Sequence, residues 1–184
     1  MRPTNRMLAA GALLAALAGQ GLAEEVSFVT DGGALFTFDA PEGWLVRDGF
    51  ESTRGRPESV RPEAQLISLL PPEEELIMWT GLWAPPDVRS FAEARAYLGK
   101  AVPRLLEAPE STYNDSRTIG GMPARVWSGV GFRDGRDMDF SFAAIQIARE
   151  RIALVAFIGE PAAWDRHEAS LIAVLNSIEA GAGQ

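Results

Sequence analysis

The clearest structural pattern in the chain lies between residues 119 and 159, where apolar and polar positions predict three consecutive antiparallel strands. Residues 122–133 alternate in polarity, which is typical of a strand with one buried and one wetter face. Residues 152–158 read IALVAFI and have no polar position, which favours a strand covered on both faces. Residues 138–147 place phenylalanines on one face and isoleucines on the other. We therefore expect this meander to form the middle of a sheet.

Shorter apolar stretches before the meander predict further strands. The first two of them are expected to form a hairpin about Asp31-Gly32-Gly33, because glycine favours tight turns. Residues 48–62 show no periodicity and predict an exposed loop. The predicted strands cover residues 26–30, 34–39, 44–47, 65–70 and 76–83, followed by an edge strand at 111–118.

Two segments have the apolar period of helices. Ser90 and Glu93 match a capping box at the start of the first helix, and Pro103 is expected to kink or end it. The second helix begins at Pro161, a favoured first-turn residue, and runs to about Ile178. Strands, helix, strands and helix in this order predict an α+β domain built around one antiparallel sheet.

The first 23 residues have the features of a secretory signal peptide. Arg2 and Arg6 give a basic start, residues 7–18 an apolar core, and the segment ending at Ala23 a small-residue cleavage site. The apolar core is too short to span a bilayer, which needs about 20 residues. We expect cleavage after Ala23, which leaves residues 24–184 as a single domain.

Composition narrows the class of protein further. The chain has no cysteine, which excludes disulfides, thiolate chemistry and a lipid-modified cysteine. It has 25 acidic against 17 basic residues, and loss of Arg2 and Arg6 would take the net charge from −8 to −10. Such a charge argues against nucleic acid and anionic lipid as partners. The expected address is periplasmic or secreted, without a membrane-spanning segment after cleavage.

Residues suited to catalysis or metal binding are few. His167 is the only histidine, so with no cysteine a zinc site would need three carboxylates, and we expect His167 at the rim of the core. Asp134, Asp137 and Asp139 could bind calcium, but their spacing does not match the twelve-residue calcium loop, and aspartate also suits turns. No nucleophile elbow or phosphate loop occurs. We predict no metal, no cofactor and, on balance, no enzymatic activity.

Tryptophans and arginines are the remaining candidates for a site. Trp79 and Trp83 share one face of their predicted strand, and Trp127 shares a face with Arg125 and Arg133. These side chains either belong to the core or form an aromatic patch with arginines beside it. Such a patch would bind a protein partner or an apolar ligand.

Three motifs resemble PsbP-like domains: residues 36–44 (FTFDAPEGW), the turn at Gly120–Ala124, and the closing segment Leu175–Ile178. The resemblance implies an antiparallel sheet of six to seven strands with helices on both faces, an α/β/α sandwich. Members are small accessory proteins, namely an extrinsic subunit of the photosynthetic oxygen-evolving complex and exported bacterial proteins or lipoproteins. This chain lacks the cysteine of the lipoproteins, and no metal or cofactor site is carried over.

The expected function is therefore that of an exported, non-enzymatic accessory protein that binds another envelope protein through one sheet or helix face. An alternative is a protein that binds a small apolar ligand near Trp79 and Trp83. A hydrolase that uses Asp or Glu with His167 is the least favoured alternative.

Overall fold

The structure is a computed structural model that describes residues 23–30, 33–48, 66–72 and 76–181. The segment predicted to be a signal peptide, apart from Ala23, and all but the first residue of the loop predicted at 48–62 lie outside these ranges. The described elements, in chain order, are β1 (Glu24–Thr30), β2 (Gly33–Ala40), β3 (Leu45–Asp48), β4 (Ile67–Leu70), β5 (Met78–Trp83), α1 (Phe91–Leu105), β6 (Glu107–Ile119), β7 (Met122–Arg133), β8 (Arg136–Ala148), β9 (Arg151–Gly159), α2 (Pro161–Asn176) and β10 (Glu179–Ala180).

The larger sheet has seven antiparallel strands in the order β3-β4-β5-β9-β8-β7-β6. The predicted meander is confirmed as β7, β8 and β9, and β9 is the central strand. Every residue from Ile152 to Gly159 is buried, as the unbroken apolar run indicates. Asp134 and Gly135 both have positive φ, as the tight two-residue turn between β7 and β8 requires. The α+β fold class is confirmed.

The expectation of one sheet was wrong, because the first hairpin belongs to a second sheet. Strands β1 and β2 pair with each other, and β10 adds to the other side of β2. The rings of Phe28 and Phe36 stack with centroids 4.9 Å apart, and both side chains are buried. Alternation along a hairpin shows which side chains face a core, but not which sheet the hairpin joins.

The helices cover opposite faces of the larger sheet, as expected. Residues directly opposite each other in paired strands point to one face, so an odd spacing along a strand changes the face. Trp83 lies opposite Leu154 and contacts the α1 residue Tyr97, with ring centroids 6.4 Å apart. Phe157, three residues from Leu154, contacts Trp164 of α2, with centroids 6.1 Å apart. We call these two sides the α1 face and the α2 face, and the small sheet packs beside α2.

The capping box at the start of α1 is confirmed. Ser90 is the N-cap residue, and its Oγ accepts from the Glu93 backbone N–H at 3.3 Å. The Glu93 carboxylate accepts from the Arg89 backbone N–H at 2.8 Å and from the Ser90 hydroxyl at 3.0 Å. These bonds lower the pKa of Glu93. The helix ends two residues after Pro103, as the missing amide hydrogen predicts.

Glu160 joins three elements where β9 leads into α2. One carboxylate oxygen accepts from the Ile77 backbone N–H at 2.9 Å, and the other accepts from Arg136 Nη1 at 2.9 Å. Together these contacts lower the pKa of Glu160, with the Ile77 amide having the larger effect. A carboxyl group with a lowered pKa stabilises the fold above its usual pKa, and the stabilisation is lost as pH falls through the lowered value.

Replacing Arg136 with alanine should therefore raise the pKa of Glu160 only part of the way to its usual value, because the Ile77 amide remains. NMR titration of the Glu160 carboxyl carbon measures this shift directly. Arg166→Ala removes an exposed arginine from α2 and serves as the control, with no expected change. A complete return to the usual pKa in Arg136→Ala would show that the amide bond contributes nothing.

Candidate interaction surface

The strand register brings all five residues of the predicted site onto the α1 face. The successive pairings of β5 with β9, β9 with β8, and β8 with β7 place Trp83 and Arg125 in one row across the sheet. These two side chains therefore share a face. Trp79 is an even number of residues from Trp83, and Trp127 and Arg133 are even numbers of residues from Arg125. The face shared by Trp127, Arg125 and Arg133, which alternation predicts, is therefore the one that α1 partly covers.

Trp83 lies in the core and not on the surface. Its side chain is only 6% exposed and packs against Tyr97 of α1. Burial raises the pKa of Tyr97. The Trp83 indole N–H is buried and meets no acceptor with hydrogen-bond geometry among the described residues. It is nevertheless near enough to the Tyr97 hydroxyl to reduce the upward shift of the Tyr97 pKa. Trp83 can thus support the surface from beneath but cannot contact a protein partner.

Trp79 is partly exposed and is held in place by its own strand. Its ring lies over Gly81, where even a Cβ atom would collide with it. The indole N–H donates to Ser68 Oγ at 3.2 Å, which fixes the ring along the sheet. Glycine at position 81 is therefore what allows a tryptophan to lie flat on this strand.

On the α1 face of β7 we call Arg125, Trp127 and Arg133 the β7 strip. Arg125 is exposed, while Trp127 and Arg133 are partly exposed. Arg133 Nε lies 4.0 Å from Asp134 Oδ2, which is at the limit of an ion pair. The Trp127 indole N–H is buried and finds no acceptor among the described residues, a situation that costs about 1–3 kcal/mol.

Positive charge is concentrated on the same side of the molecule. Helix α1 adds the exposed cations Arg95, Lys100 and Arg104 against one exposed carboxylate, Glu93. The other side has the opposite sign. The small sheet and α2 expose Glu24, Glu25, Asp39, Glu179, Asp165 and Glu168, against the single cation Arg166 within those described elements.

The residues considered for catalysis or metal binding lie elsewhere. His167 is 7% exposed and lies within the buried stripe of α2, with its ring edge-on to Trp44 at 5.3 Å between centroids. Asp134 is exposed in the β7–β8 turn, while Asp137 and Asp139 follow it on β8. Across the described ranges, no three histidine or carboxylate side chains are grouped closely enough to hold a metal ion.

Sequence reasoning missed a polar network on the edge strand β6. Arg117 Nη2 donates to the Tyr113 hydroxyl at 2.6 Å, and that hydroxyl donates to Asp115 Oδ2 at 2.7 Å. The Tyr113 bond, the Ser116 backbone N–H and Arg117 together lower the pKa of Asp115. The spacing of two between these residues, on a strand already predicted to be an edge, was the available signal.

Comparison with known proteins defines the fold. No family model and no curated sequence matches the chain. The solution structure of cyanobacterial PsbP (CyanoP) from Synechocystis sp. PCC 6803 does match it in structure, with a TM-score of 0.56 and 11% identity, over 91% of this chain and 99% of that one. LpqN of Mycobacterium tuberculosis, described as involved in cell envelope biogenesis, matches with a TM-score of 0.50 and 12% identity, over 86% of this chain and 91% of that one.

Within the described ranges, no helix is both long enough and apolar enough to cross a membrane.

The two structural matches cover nearly all of each compared chain, and the sheet flanked by two helices agrees with them. Identities this low establish the fold alone. The motifs at residues 36–44, 120–124 and 175–178 and the structural matches therefore agree that this chain has the PsbP-like fold.

Proposed function

We propose that this chain is an exported, non-enzymatic accessory protein of the bacterial envelope that binds another envelope protein through its α1 face. The partner contacts are the β7 strip and the exposed cations of α1. Trp79 borders the same face, and Trp83 supports it from below.

The observation that carries this proposal is the segregation of charge in an acidic protein. The chain has a net charge of −8, yet the α1 face exposes Arg95, Lys100, Arg104, Arg125 and Arg133 with little acidic compensation. A basic face on an acidic protein attracts an acidic partner surface and orients the approach, which raises the association rate. Charge spread evenly over the surface would do neither.

Trp127 is suited to be the anchor of such an interface. Tryptophan and arginine dominate the binding energy of protein interfaces, and Trp127 lies between two arginines on one strand. Its side chain is partly exposed, so part of the ring can contact a partner.

The fold and the sequence support the remaining parts of the proposal. CyanoP and LpqN share the fold, and LpqN is itself described as involved in cell envelope biogenesis. The basic, apolar and small-residue segments of the first 23 residues support export. The buried position of His167 beside Trp44, away from the α1 face, supports a binding role over hydrolysis.

The proposal predicts that crosslinking to the partner depends on position. A photoreactive residue at Ala96, exposed on α1, should give one dominant adduct in living cells, and one at Ala169, exposed on α2, should not. Charge reversal with Arg125→Glu and Arg133→Glu should lower the Ala96 adduct about tenfold, because two attractive contacts become repulsive. The matched control is Arg151→Glu with Arg166→Glu, which changes the net charge equally at exposed sites away from the β7 strip.

Equal adducts from the two helices, or equal effects of the two double reversals, would contradict the proposal. A co-purified small molecule in native mass spectrometry, without any protein adduct, would instead favour binding of an apolar ligand near Trp79.

A further inference from the structure

No described strand pairs with the outer edge of β6. In the seven-stranded sheet β6 is terminal, and within the described part of the chain β7 is its one pairing partner. Its register shifts twice near its start and then runs without interruption from Tyr113 to Ile119. Seven residues in regular extended conformation are enough to pair with another strand, and unpaired edges are templates for such pairing.

The sequence of this uninterrupted segment is complementary to itself. Ser116 is its middle residue, with Asp115 on one side and Arg117 on the other. If two such strands run antiparallel about a two-fold axis at Ser116, Asp115 of each copy lies opposite Arg117 of the other. Asn114 then lies opposite Thr118, and Tyr113 opposite Ile119. Each of these cross-strand pairs is favourable or neutral, and none brings like charges together.

We infer that the protein forms a symmetric dimer in which β6 pairs with β6 of a second copy about an axis at Ser116. The Ser116 backbone N–H donates to Asp115 Oδ1 at 2.8 Å, as expected of an amide that points to the open edge and not to β7. Ser116 would then sit at a hydrogen-bonded position of the new pair, and Asp115 and Arg117 at the adjacent non-hydrogen-bonded positions. Side chains are closest at those positions, with Cα atoms about 4.5 Å apart.

In the free chain, the Asp115 carboxylate and the Arg117 guanidinium contact each other. Arg117 Nε lies 3.4 Å from Asp115 Oδ2, and both residues are partly exposed. Dimer formation replaces the two pairs within strands, one in each copy, by two pairs between strands. The Ser116 amides then bond across the axis. The carboxylates that cap the open edges are thus released to bind arginine.

The dimer would also enlarge the surface proposed to bind a partner. A two-fold axis perpendicular to the sheet places both α1 faces on the same side of a continuous sheet. The β7 strips of the two copies then lie next to the shared edge, one strand away from it. A partner with two acidic sites would gain from binding both strips. The dimer itself does not depend on that partner.

Cysteine crosslinking tests the position of the axis. Because the chain has no cysteine, Ser116→Cys introduces a single thiol, and only pairing at the axis brings the two thiols of a dimer together. Mild oxidation of purified protein should give a disulfide-linked dimer at least about tenfold faster than for Asn114→Cys, whose thiols would lie about 13 Å apart, beyond disulfide reach. Equal rates for the two variants would overturn the proposed register.

Charge exchange tests the pairing independently. Asp115→Arg and Arg117→Asp each place like charges opposite each other, so each variant alone should dimerise at least about tenfold more weakly in sedimentation velocity. An equimolar mixture of the two variants should recover dimerisation as a heterodimer, because opposite charges then face each other. The pair within each chain remains broken in both variants, so recovery can arise only between chains.

Circular dichroism on each variant controls for folding. If a strand of a different protein is the true occupant of this edge, the purified chain will stay monomeric at about 0.1 mM. That result would overturn the inference. A dimer that is indifferent to both charge exchanges would overturn it as well.

Discussion

Gly129→Val should lower the free energy of unfolding by about 3 kcal/mol, because a side chain at this position has no room. A Cβ atom there would collide with the Glu110 carbonyl oxygen and lie 2.7 Å from Cζ of Phe140. Strand β6 shifts register on both sides of Glu110, and the bend brings its backbone over β7. Relief would require separating β6 from β7 or displacing a buried phenylalanine, and both cost packing energy.

Gly99→Ala is the matched control and should change stability in the opposite direction. Gly99 is exposed inside α1, and a Cβ atom there meets nothing within 4 Å. Alanine is favoured over glycine in a helix interior by about 1 kcal/mol, so this variant should gain that amount. Urea denaturation followed by far-ultraviolet circular dichroism measures both changes. Equal stability of wild type and Gly129→Val would mean that β6 does not pass over β7 as described.

Gly129 and Gly131, both on β7, determine the shape of the candidate surface. Gly129 and Gly131 alternate with side chains on β7 and separate Trp127 from Arg133. At Gly131 a Cβ atom would lie 3.3 Å from the Cβ of Leu106, the C-cap residue of α1. Close approach of the chain at these two positions fixes where α1 ends relative to the β7 strip. A loss of stability in Gly129→Val should therefore be accompanied by weaker partner binding.

Local patterns in the sequence were sufficient to predict the centre of the fold. The period of two in β7 and the uninterrupted apolar run of β9 depend only on which faces are buried, which each strand records in its own residues. The edge position of β6 followed from its polarity, although the strand starts at Glu107, four residues earlier than expected. The capping box and Pro103 predicted the bounds of α1, because both act on the backbone of their own helix.

Non-local features were not predictable in this way. Strand β10 has two residues and exists only because it meets β2, which is far away in sequence. Trp83 and Trp127 share a face, but only Trp83 is covered by Tyr97 of α1, and no periodicity shows where a helix will lie on a sheet. The segregation of charge could not be predicted from the sequence for the same reason. The cations of α1 and β7 come together only when the helix is assigned to one face.

Phe157→Ala should lower the free energy of unfolding by about 3–5 kcal/mol, because it removes a large side chain from the centre of the α2 face. Phe157 is 2% exposed on the central strand β9, and its ring meets the edge of Trp164 on α2. Its neighbours across the sheet are Thr80 and Ser141, whose short side chains cannot fill the space left behind. Much of the contact between the larger sheet and α2 would then be lost.

Phe132→Ala makes the same chemical change at a site where the side chain is only about half buried. Phe132 is 46% exposed near the tip of β7, so its replacement should lower stability by only about 1 kcal/mol. The difference between the two variants isolates burial from the intrinsic preferences of phenylalanine and alanine. Because α2 connects the larger sheet to the small sheet through Ser177 and Asp39, Phe157→Ala should also loosen the small sheet. Amide hydrogen exchange would show this as faster exchange in β2, and unchanged exchange there would mean that the small sheet is held independently of α2.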